Sequence, residues 1–200
     1  DGNRWNDDST NIGSFAYSIA VLPSGEFVVG ANNGILRRTA AGWVRMQSSS
    51  ELSGVARILK TDSQGRLFAG GSLLVAGSYG VGMWDGTDWT NVYSTDRSDI
   101  GIIEELPDHC MLFARRIPWF QATEPGIAKW CNGELTDLTT VLGPYGFSGG
   151  YGTGALVMED GRVIVQAYVW ISSGVGYPLR LELRRNGWSL DPRSGTYARH

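Results

Sequence analysis

A turn that ends in glycine recurs along this chain, and in most copies a tryptophan follows it. The glycines are Gly2, Gly42, Gly86, Gly133 and Gly187, at intervals of 40, 44, 47 and 54 residues. The tryptophans are Trp5, Trp43, Trp89 and Trp188, with Leu135 at that place in the third copy. An earlier turn, at Gly25, Gly65, Pro107-Asp108 and Gly161, keeps the same phase. Two markers in one phase predict a structural repeat of about 40–50 residues.

Residues 55–92 show the content of one repeat most clearly. Two apolar runs flank a turn at residues 62–65, and a third run leads through Asp85-Gly86 to a strand that begins at Trp89. Short apolar runs separated by Gly- and Asp-containing turns are typical of antiparallel strands. The same order recurs, so we predict four units of four strands. Their approximate bounds are residues 12–47, 52–94, 99–141 and 152–191.

A twisted four-stranded sheet has two faces to bury, and stacking such sheets around an axis covers both. We therefore predict one all-β domain over residues 1–200, a β-propeller built of four-stranded antiparallel blades. Residues 1–8 carry only the last turn and the tryptophan, which predicts an extra final strand of a preceding or partner blade. This strand belongs to a longer propeller, adds to a compact ring, or is exchanged between chains.

The segment GRLFAGGSLLVAGSYGVGMWDGTDWTNV (residues 65–92) resembles the repeats of bacterial secreted and phage-associated β-propeller proteins. These repeats are kelch-like, and related arrays occur in five-bladed lectin propellers. The third unit is similar in part, over residues 126–133, but has Arg115-Arg116 in place of Gly70-Gly71. The resemblance implies a propeller fold. It implies no single function, because propellers include enzymes, lectins and scaffolds.

The composition excludes several functional classes. The formal net charge of −3 leaves no basic face for nucleic acid. No window approaches the roughly 18 apolar residues of a membrane helix, so membrane insertion is not expected. With 42% hydrophobic and 18% charged residues the chain is globular. Because the sequence starts at Asp1, we expect a processed mature chain, an excised fragment or part of something longer.

Cys110 and Cys131 are the two cysteines of the chain. They are either buried small apolar residues or a disulfide, since both fall in one repeat on strands that could be neighbours. Two cysteines do not fix the redox compartment. No CxxC pair or His/Cys cluster occurs, so no structural zinc site is predicted.

The sequence offers no catalytic set. The histidines are His109 and His200, and neither accompanies a GxSxG elbow. Glu104 and Glu105 alternate along a strand and so point to opposite faces. The remaining acidic residues are turn caps (Asp85, Asp108 and Asp160), loop carboxylates left open as candidates (Asp96 and Glu124), or an N-terminal group that matches no calcium loop (Asp1, Asp7 and Asp8). We predict no catalytic residue, metal or cofactor.

Residues that recur with the repeat are predicted to be structural: Trp5, Gly42, Trp43, Gly70, Gly71, Asp85, Gly86, Trp89, Gly133, Gly187 and Trp188. Neither Gly70-Gly71 nor Gly149-Gly150 is followed by the Lys-Ser/Thr of a phosphate loop. Gly70-Gly71 is expected to close a strand where the missing side chains let adjacent sheets approach.

Ligand-binding candidates are the residues that do not recur, in the loops after the second strands: Tyr79, Arg115, Arg116, Trp119, Phe120, Trp170 and Tyr177. Aromatic residues in loops at one end of a scaffold commonly grip sugars and protein partners. Local packing of the loops is the alternative reading.

These observations predict a non-enzymatic propeller module, extracellular or on a virion surface, that binds a glycan or a surface protein and takes part in assembly. One alternative is a purely structural subunit of a phage tail, fibre or extracellular filament, linked through its N-terminal strand. The other is a glycoside-acting hydrolase that uses loop carboxylates.

Overall fold

The computed structural model describes residues 12–13, 15–46, 52–96, 99–116, 126–138, 147–158, 160–171, 176–184 and 187–190. Within this part every regular element is a β-strand, and the strands form four antiparallel sheets of four. The predictions of an all-β chain and of four-stranded antiparallel units are confirmed. The extra strand predicted at residues 1–8 lies outside the described residues.

Each sheet is a meander of four consecutive strands. The first sheet contains β1 (Ala16–Val21), β2 (Phe27–Ala31), β3 (Gly34–Thr39) and β4 (Gly42–Arg45). The second contains β5 (Leu52–Thr61), β6 (Leu67–Val75), β7 (Ser78–Trp84) and β8 (Trp89–Thr95). The third contains β9 (Ile100–Glu105), β10 (Met111–Arg115), β11 (Ile127–Cys131) and β12 (Glu134–Asp137). The fourth contains β13 (Phe147–Val157), β14 (Val163–Ile171), β15 (Gly176–Arg184) and β16 (Gly187–Leu190).

The same tight turn joins the first and second strands of every sheet. Its opening residue donates and accepts backbone hydrogen bonds in one pattern at Leu22, Asp62, Leu106 and Met158. Three residues later the backbone has a positive φ, at Gly25, Gly65, His109 and Gly161. The third repeat, where Pro107-Asp108 stood in for the glycine in the sequence, therefore places His109 in the left-handed conformation that glycine adopts at no steric cost.

Successive sheets pack face to face through their first strands. The strand β5 packs on the first sheet, β9 packs on β5 and β6, and β13 packs on β9 and β10. Three buried clusters fill these spaces, around Val28 and Leu67, around Phe68 and Phe113, and around Leu112 and Val163. Among the described residues the four sheets remain separate and form no closed barrel.

Cys110 and Cys131 form a disulfide, with their Cα atoms 4.8 Å apart. Met111 pairs with Trp130 in the β10–β11 ladder. Continuing that register by one residue brings the two cysteines opposite each other. Of the two interpretations that the sequence allows, the structure therefore has the disulfide.

Several strands run further than the turn signals predict. Gly70-Gly71 does not close a strand, because β6 continues through a register shift to Val75. Likewise β13 begins at Phe147, before the predicted start of the fourth unit at residue 152, and contains Gly149-Gly150. The prediction that three aromatic candidates lie in loops is consequently wrong. Tyr79 belongs to β7, Trp170 to β14 and Tyr177 to β15.

Candidate functional site

In the first strand of every sheet, the strand pairing skips a residue at one equivalent position. In β1, Ala16 pairs with Ala31 and Ser18 with Gly30, so Tyr17 is the bulged residue between them. The register shifts in β5, β9 and β13 leave the equivalent residues bulged, each five positions before the residue that opens the first turn: Arg57, Gly101 and Thr153. A β-bulge turns a side chain out of the strand alternation, and bulges are frequent beside functional sites. We call these four residues the bulge row.

Side chains from three sheets meet around the bulge row. The Arg57 guanidinium lies 4.9 Å from the centre of the Tyr17 ring, within cation–π distance. The Tyr17 hydroxyl donates a hydrogen bond of 2.6 Å to Asn32 Oδ1. On its other side, Arg57 Nε lies 3.1 Å from Asp99 Oδ2. Arg116 Nη1 lies 4.0 Å from the same oxygen. Tyr17, Asn32, Arg57, Asp99 and Arg116 are the bulge cluster.

Glycine at the third bulge position makes room for Arg116. A Cβ atom placed on Gly101 would lie 2.9 Å from the Arg116 Cβ atom. The backbone N–H of Arg116 donates a hydrogen bond of 2.6 Å to the Asp99 carbonyl oxygen. The arginine that follows β10 therefore occupies the space that a side chain at the third bulge would fill.

The three charged side chains of the bulge cluster differ in how exposed they are. The Asp99 side chain is 7% exposed, that of Arg57 is 32% exposed and that of Arg116 is 61% exposed. Burial raises the pKa of Asp99 above its ordinary value, although the charges of Arg57 and Arg116 oppose the shift. The two arginines leave a local excess of positive charge over the one carboxylate.

Asp99 Oδ1 is a buried polar atom beside Arg57 that makes no hydrogen bond within the described part of the chain. Buried polar groups are nearly always satisfied in folded proteins. Asp99 Oδ1 therefore has hydrogen-bonding capacity that a buried water molecule can use.

Of the predicted arginine pair, only Arg116 is accessible. The Arg115 side chain is 3% exposed, and its Nη2 lies 3.0 Å from Asp96 Oδ1. Its backbone N–H donates to the Gly126 carbonyl oxygen. The prediction of Arg115 as a ligand-binding residue is corrected on this ground: its guanidinium holds Asp96, the residue after β8.

The other predicted binding residues that the structure describes lie at the end of the sheets that carries the bulge row. Tyr79, half-buried, pairs with Thr95. In the β14–β15 ladder Val169 pairs with Tyr177 and Trp170 with Gly176, so the two aromatic positions are adjacent in the sheet. Trp119 and Phe120 lie outside the described residues, as does Glu124.

Sequence reasoning missed Tyr17, Arg57 and Asp99. The signal was available: when the repeats are aligned on the first turn, the position five residues before it holds Tyr17, Arg57, Gly101 and Thr153. A tyrosine or an arginine inside an apolar first strand departs from the strict alternation of a half-buried strand. Strand pairing was needed to show that this position is a bulge in every repeat.

The opposite end of the sheets holds a serine, a histidine and a glutamate in contact. Ser63 donates hydrogen bonds to Glu105 from its hydroxyl and its backbone N–H. His109 Nδ1 lies 3.0 Å from Ser63 Oγ and 3.1 Å from Glu105 Oε1. A catalytic triad needs the serine on one imidazole nitrogen and the carboxylate on the other. Here the same nitrogen, His109 Nδ1, lies near both the serine and the glutamate. The Ser63 hydroxyl donates its hydrogen bond to the Glu105 carboxylate and not to the imidazole.

This contact joins the first turns of the second and third sheets. Burial acts to raise the pKa of Glu105, but hydrogen bonds from Ser63 and His109 outweigh it and hold the pKa below its ordinary value. Lys60 and Glu104 form an ion pair between the same two sheets, at 2.5 Å. Glu104 and Glu105 therefore serve two different contacts.

The recurrent residues lie in turns and packing contacts. Gly42, Gly86 and Gly133 have φ values of 112°, 110° and 93°. Trp89 is buried against Trp84, with ring centres 5.4 Å apart, and Arg38 lies 5.9 Å from the Trp43 ring. The carboxylate of Asp85 accepts hydrogen bonds from the backbone N–H groups of Thr87 and Asp88. Gly187 and Trp188 are in β16, and Trp5 lies outside the described residues.

The described residues contain no group of three or more His, Cys, Asp or Glu side chains placed to hold a metal ion. Over the same part of the chain, no helix is long and apolar enough to cross a membrane.

No protein-family model matches this chain, and no curated protein does. Among solved structures, the chain is similar to the crystal structure of the extracellular domain of a proposed one-component system from B. thetaiotaomicron. The two share 16% sequence identity and a TM-score of 0.39, over 99% of this chain and 38% of the other. This chain thus spans well under two thirds of that domain. A likeness at this level carries no argument about fold or function.

Proposed function

We propose that this chain is a non-enzymatic binding module of the propeller type, extracellular or on a virion surface. In this proposal its ligand is an acidic glycan, held at the end of the sheets that carries the bulge row. The observation that supports it is the recurrence of the bulge. One irregularity is repeated in four first strands, and in the first two sheets its residues Tyr17 and Arg57 meet each other next to Asp99 and Arg116.

The propeller arrangement is supported by the order of packing. Each sheet packs on the next through its first strand, and the first strands are neighbours: β1 with β5, β5 with β9, and β9 with β13. Neighbouring first strands are what an arrangement around a common axis requires. In that arrangement the bulge row lies close to the axis, where a ligand can contact several sheets at once.

The chemistry of the cluster favours a saccharide that carries carboxylates. The Tyr17 ring offers an aromatic surface at an exposed position, 44% exposed, and aromatic faces commonly bind sugar rings. Arg57 and Arg116 offer planar guanidinium groups that match carboxylate geometry. The charge excess of the two arginines favours an acidic ligand over a neutral one.

The test is titration calorimetry with a uronic-acid oligosaccharide and its neutral, carboxyl-methylated counterpart. We expect Arg57→Ala and Arg116→Ala each to weaken binding of the acidic oligosaccharide about tenfold or more, since a charge-assisted hydrogen bond contributes about 1.5–3 kcal/mol. Tyr17→Ala should weaken binding of both oligosaccharides, because it removes the aromatic surface for the sugar ring. Arg162→Ala is the matched control. Its side chain is 42% exposed, but it pairs with Asp160 and with the buried Glu182 at the opposite end of the sheets, so the fold of the variant is checked by thermal unfolding before the titration.

Absence of binding to any acidic oligosaccharide by the unaltered chain would refute this proposal and favour the purely structural alternative. Equal loss in the Arg162→Ala control would place the ligand elsewhere. Chromatography of the oligosaccharide after long incubation separates binding from hydrolysis. Shorter products would favour the hydrolase alternative.

A further inference from the structure

Part of one face of the first sheet is apolar and exposed at positions that are buried or half-buried in the other sheets, whereas Val29 and Ala31 on the same face are buried in a cluster with Ile12. Aligned on the first turn, Ile19 is equivalent to Leu59, Ile103 and Ala155, and Phe27 is equivalent to Leu67, Met111 and Val163. Leu59 is 8% exposed and Ile103 is 1% exposed, whereas Ile19 is 63% exposed. The second-strand positions differ in the same way: Leu67, Met111 and Val163 are fully buried, whereas Phe27 is 49% exposed.

The sheet that precedes each one covers these positions. Leu59 and Leu67 pack with Ala20 and Val28 of the first sheet. Val163 packs with Leu106 and Leu112 of the third sheet. The covering residues on the second strand are themselves equivalent to one another. They are Val28, Phe68 and Leu112, all fully buried.

The fourth sheet presents this covering face with nothing described on it. Ile164 is equivalent to Val28, Phe68 and Leu112 and is half-buried. Its pairing partner in β13 is Leu156, which is 57% exposed. The described part of the chain thus has two different apolar faces, one on its first sheet and one on its fourth. The exposed face of the first sheet corresponds to the face that, in the second to fourth sheets, packs against the preceding sheet. The exposed face of the fourth sheet corresponds to the face that, in the first to third sheets, packs against the following sheet.

We propose that the face of the first sheet formed by Ile19, Val21 and Phe27 binds the face of the fourth sheet formed by Leu156 and Ile164 of a second copy of this chain. The three interfaces between successive sheets already have this geometry, and the contact would repeat it between chains. Exposed apolar patches of this kind mark interaction sites. Residues 1–8 are not the expected cover of this face, because their sequence matches only the final strand of a repeat. In the other sheets, first and second strands cover the equivalent positions.

A head-to-tail contact joins different faces, so it either closes into a ring or grows into a filament. Two copies contribute eight sheets, and two such contacts cover both free faces of each copy. Propellers of up to eight blades are common. We therefore expect a closed dimer. Closure rests on the propeller arrangement proposed above, whereas the contact between the two faces does not.

The test is the molar mass in solution, by light scattering at several micromolar concentrations. We expect twice the 21.7 kDa of the chain. Ile19→Glu/Phe27→Glu should give a monomer, and so should Leu156→Glu, because each disables one of the two faces. Val44→Glu is the matched control, since Val44 is 49% exposed, as Phe27 is, but lies on β4 away from the proposed contact.

Mixing the two monomeric variants gives the sharper result. The Ile19→Glu/Phe27→Glu variant keeps an unaltered fourth-sheet face, and the Leu156→Glu variant keeps an unaltered first-sheet face. The mixture should therefore contain a dimer that neither variant forms alone. A dimer that Leu156→Glu leaves intact would overturn the head-to-tail contact and indicate pairing of two first sheets. An unaltered chain that stays monomeric would overturn the proposal outright. Glycan binding by the folded Leu156→Glu monomer tests the proposed function separately.

Discussion

Two aspartates of this chain show how much a single carboxylate depends on its surroundings. Asp99 is buried, and burial raises its pKa despite the nearby charges of Arg57 and Arg116. Asp85 is exposed in a turn, where hydrogen bonds from the backbone of Asp88 and Thr87 lower its pKa. Ionisation therefore destabilises the folded protein at Asp99 and stabilises it at Asp85. The two carboxylates should respond to pH with opposite sign.

We expect Asp99→Asn to unfold at a temperature equal to or above that of the unaltered chain at pH 7–8. The raised pKa means that the folded protein holds the proton more tightly than the unfolded chain. The stabilising contribution of Asp99 is thus complete below its ordinary value of 3.8 and is lost as the pH rises through the raised value. The gain of the variant should vanish as the pH falls through that window, measured by thermal unfolding at a series of pH values.

Asp85→Asn is the control with the opposite sign. A lowered pKa stabilises the fold above the ordinary value and stops doing so as the pH falls through the lowered one. This variant should unfold at a lower temperature near pH 7 and approach the unaltered chain in acid. A large loss of stability in Asp99→Asn at neutral pH would show that its ion pairs outweigh its burial.

At the residue scale the sequence predicted the turn glycines, because positive φ restricts their positions to few residue types. It did not predict His109, which takes the left-handed position of a glycine with φ 61°. It also did not predict the bulge cluster. Tyr17 and Arg57 depart from strict alternation in sequence, but that departure alone does not show a bulge, because a bulge depends on which residues of the neighbouring strand are paired. Register of that kind is set by pairing across the sheet.

At the element scale, small residues set how closely successive sheets approach. A Cβ atom on Gly30 would lie 2.6 Å from the Ala56 carbonyl oxygen. One on Gly70 would lie 2.9 Å from the Ile100 side chain. Both residues stand five positions after the φ-positive residue of the first turn, where the third sheet has Ala114. The next first strand therefore crosses the second strand at this point.

We expect Gly70→Ala to destabilise the fold by about 1–3 kcal/mol, because the added methyl group overpacks the contact with Ile100 and Ile103. Gly154→Ala is the matched control. Gly154 also lies in a strand, and a Cβ atom there would meet nothing within 4 Å. Chemical denaturation should show a change of about 0.5 kcal/mol or less for the control. If the two variants lost equal stability, the effect of Gly70→Ala would come from reduced backbone freedom and not from a steric clash with Ile100 and Ile103.

The order and type of the strands were predictable, because each run of apolar residues ends at a turn with a specific backbone requirement. The lengths of β6, β13 and β15 were not. In a sequence, glycine after an apolar run predicts the end of a strand. Gly71 nevertheless lies inside β6 with φ 137°, where a Cβ atom would lie 2.4 Å from the Val55 carbonyl oxygen. The disulfide remained one of two alternatives, because the register that places Cys110 opposite Cys131 follows from pairing and not from spacing.

At the scale of the whole molecule, the second and third sheets each contribute residues to the cores on both of their sides. The space between the second and third sheets is filled largely by aromatic side chains. Phe113 is fully buried there, with its ring centre 6.1 Å from that of Phe68 and 5.9 Å from that of Tyr93. Stability in such arrays is approximately a sum of terms from each unit and from nearest-neighbour interfaces.

This nearest-neighbour organisation predicts how a defect spreads. Phe113→Ala should cost about 3–5 kcal/mol, since it removes a buried aromatic ring and leaves a cavity. Hydrogen exchange should then rise most in β6 and β10, which flank the cavity, and least in β2 and β3 of the first sheet. The reason is that the first sheet buries Val28 and Ile35 in a separate core with Leu67. An equal rise in all four sheets would instead show one cooperative unit, in which the sheets cannot open separately.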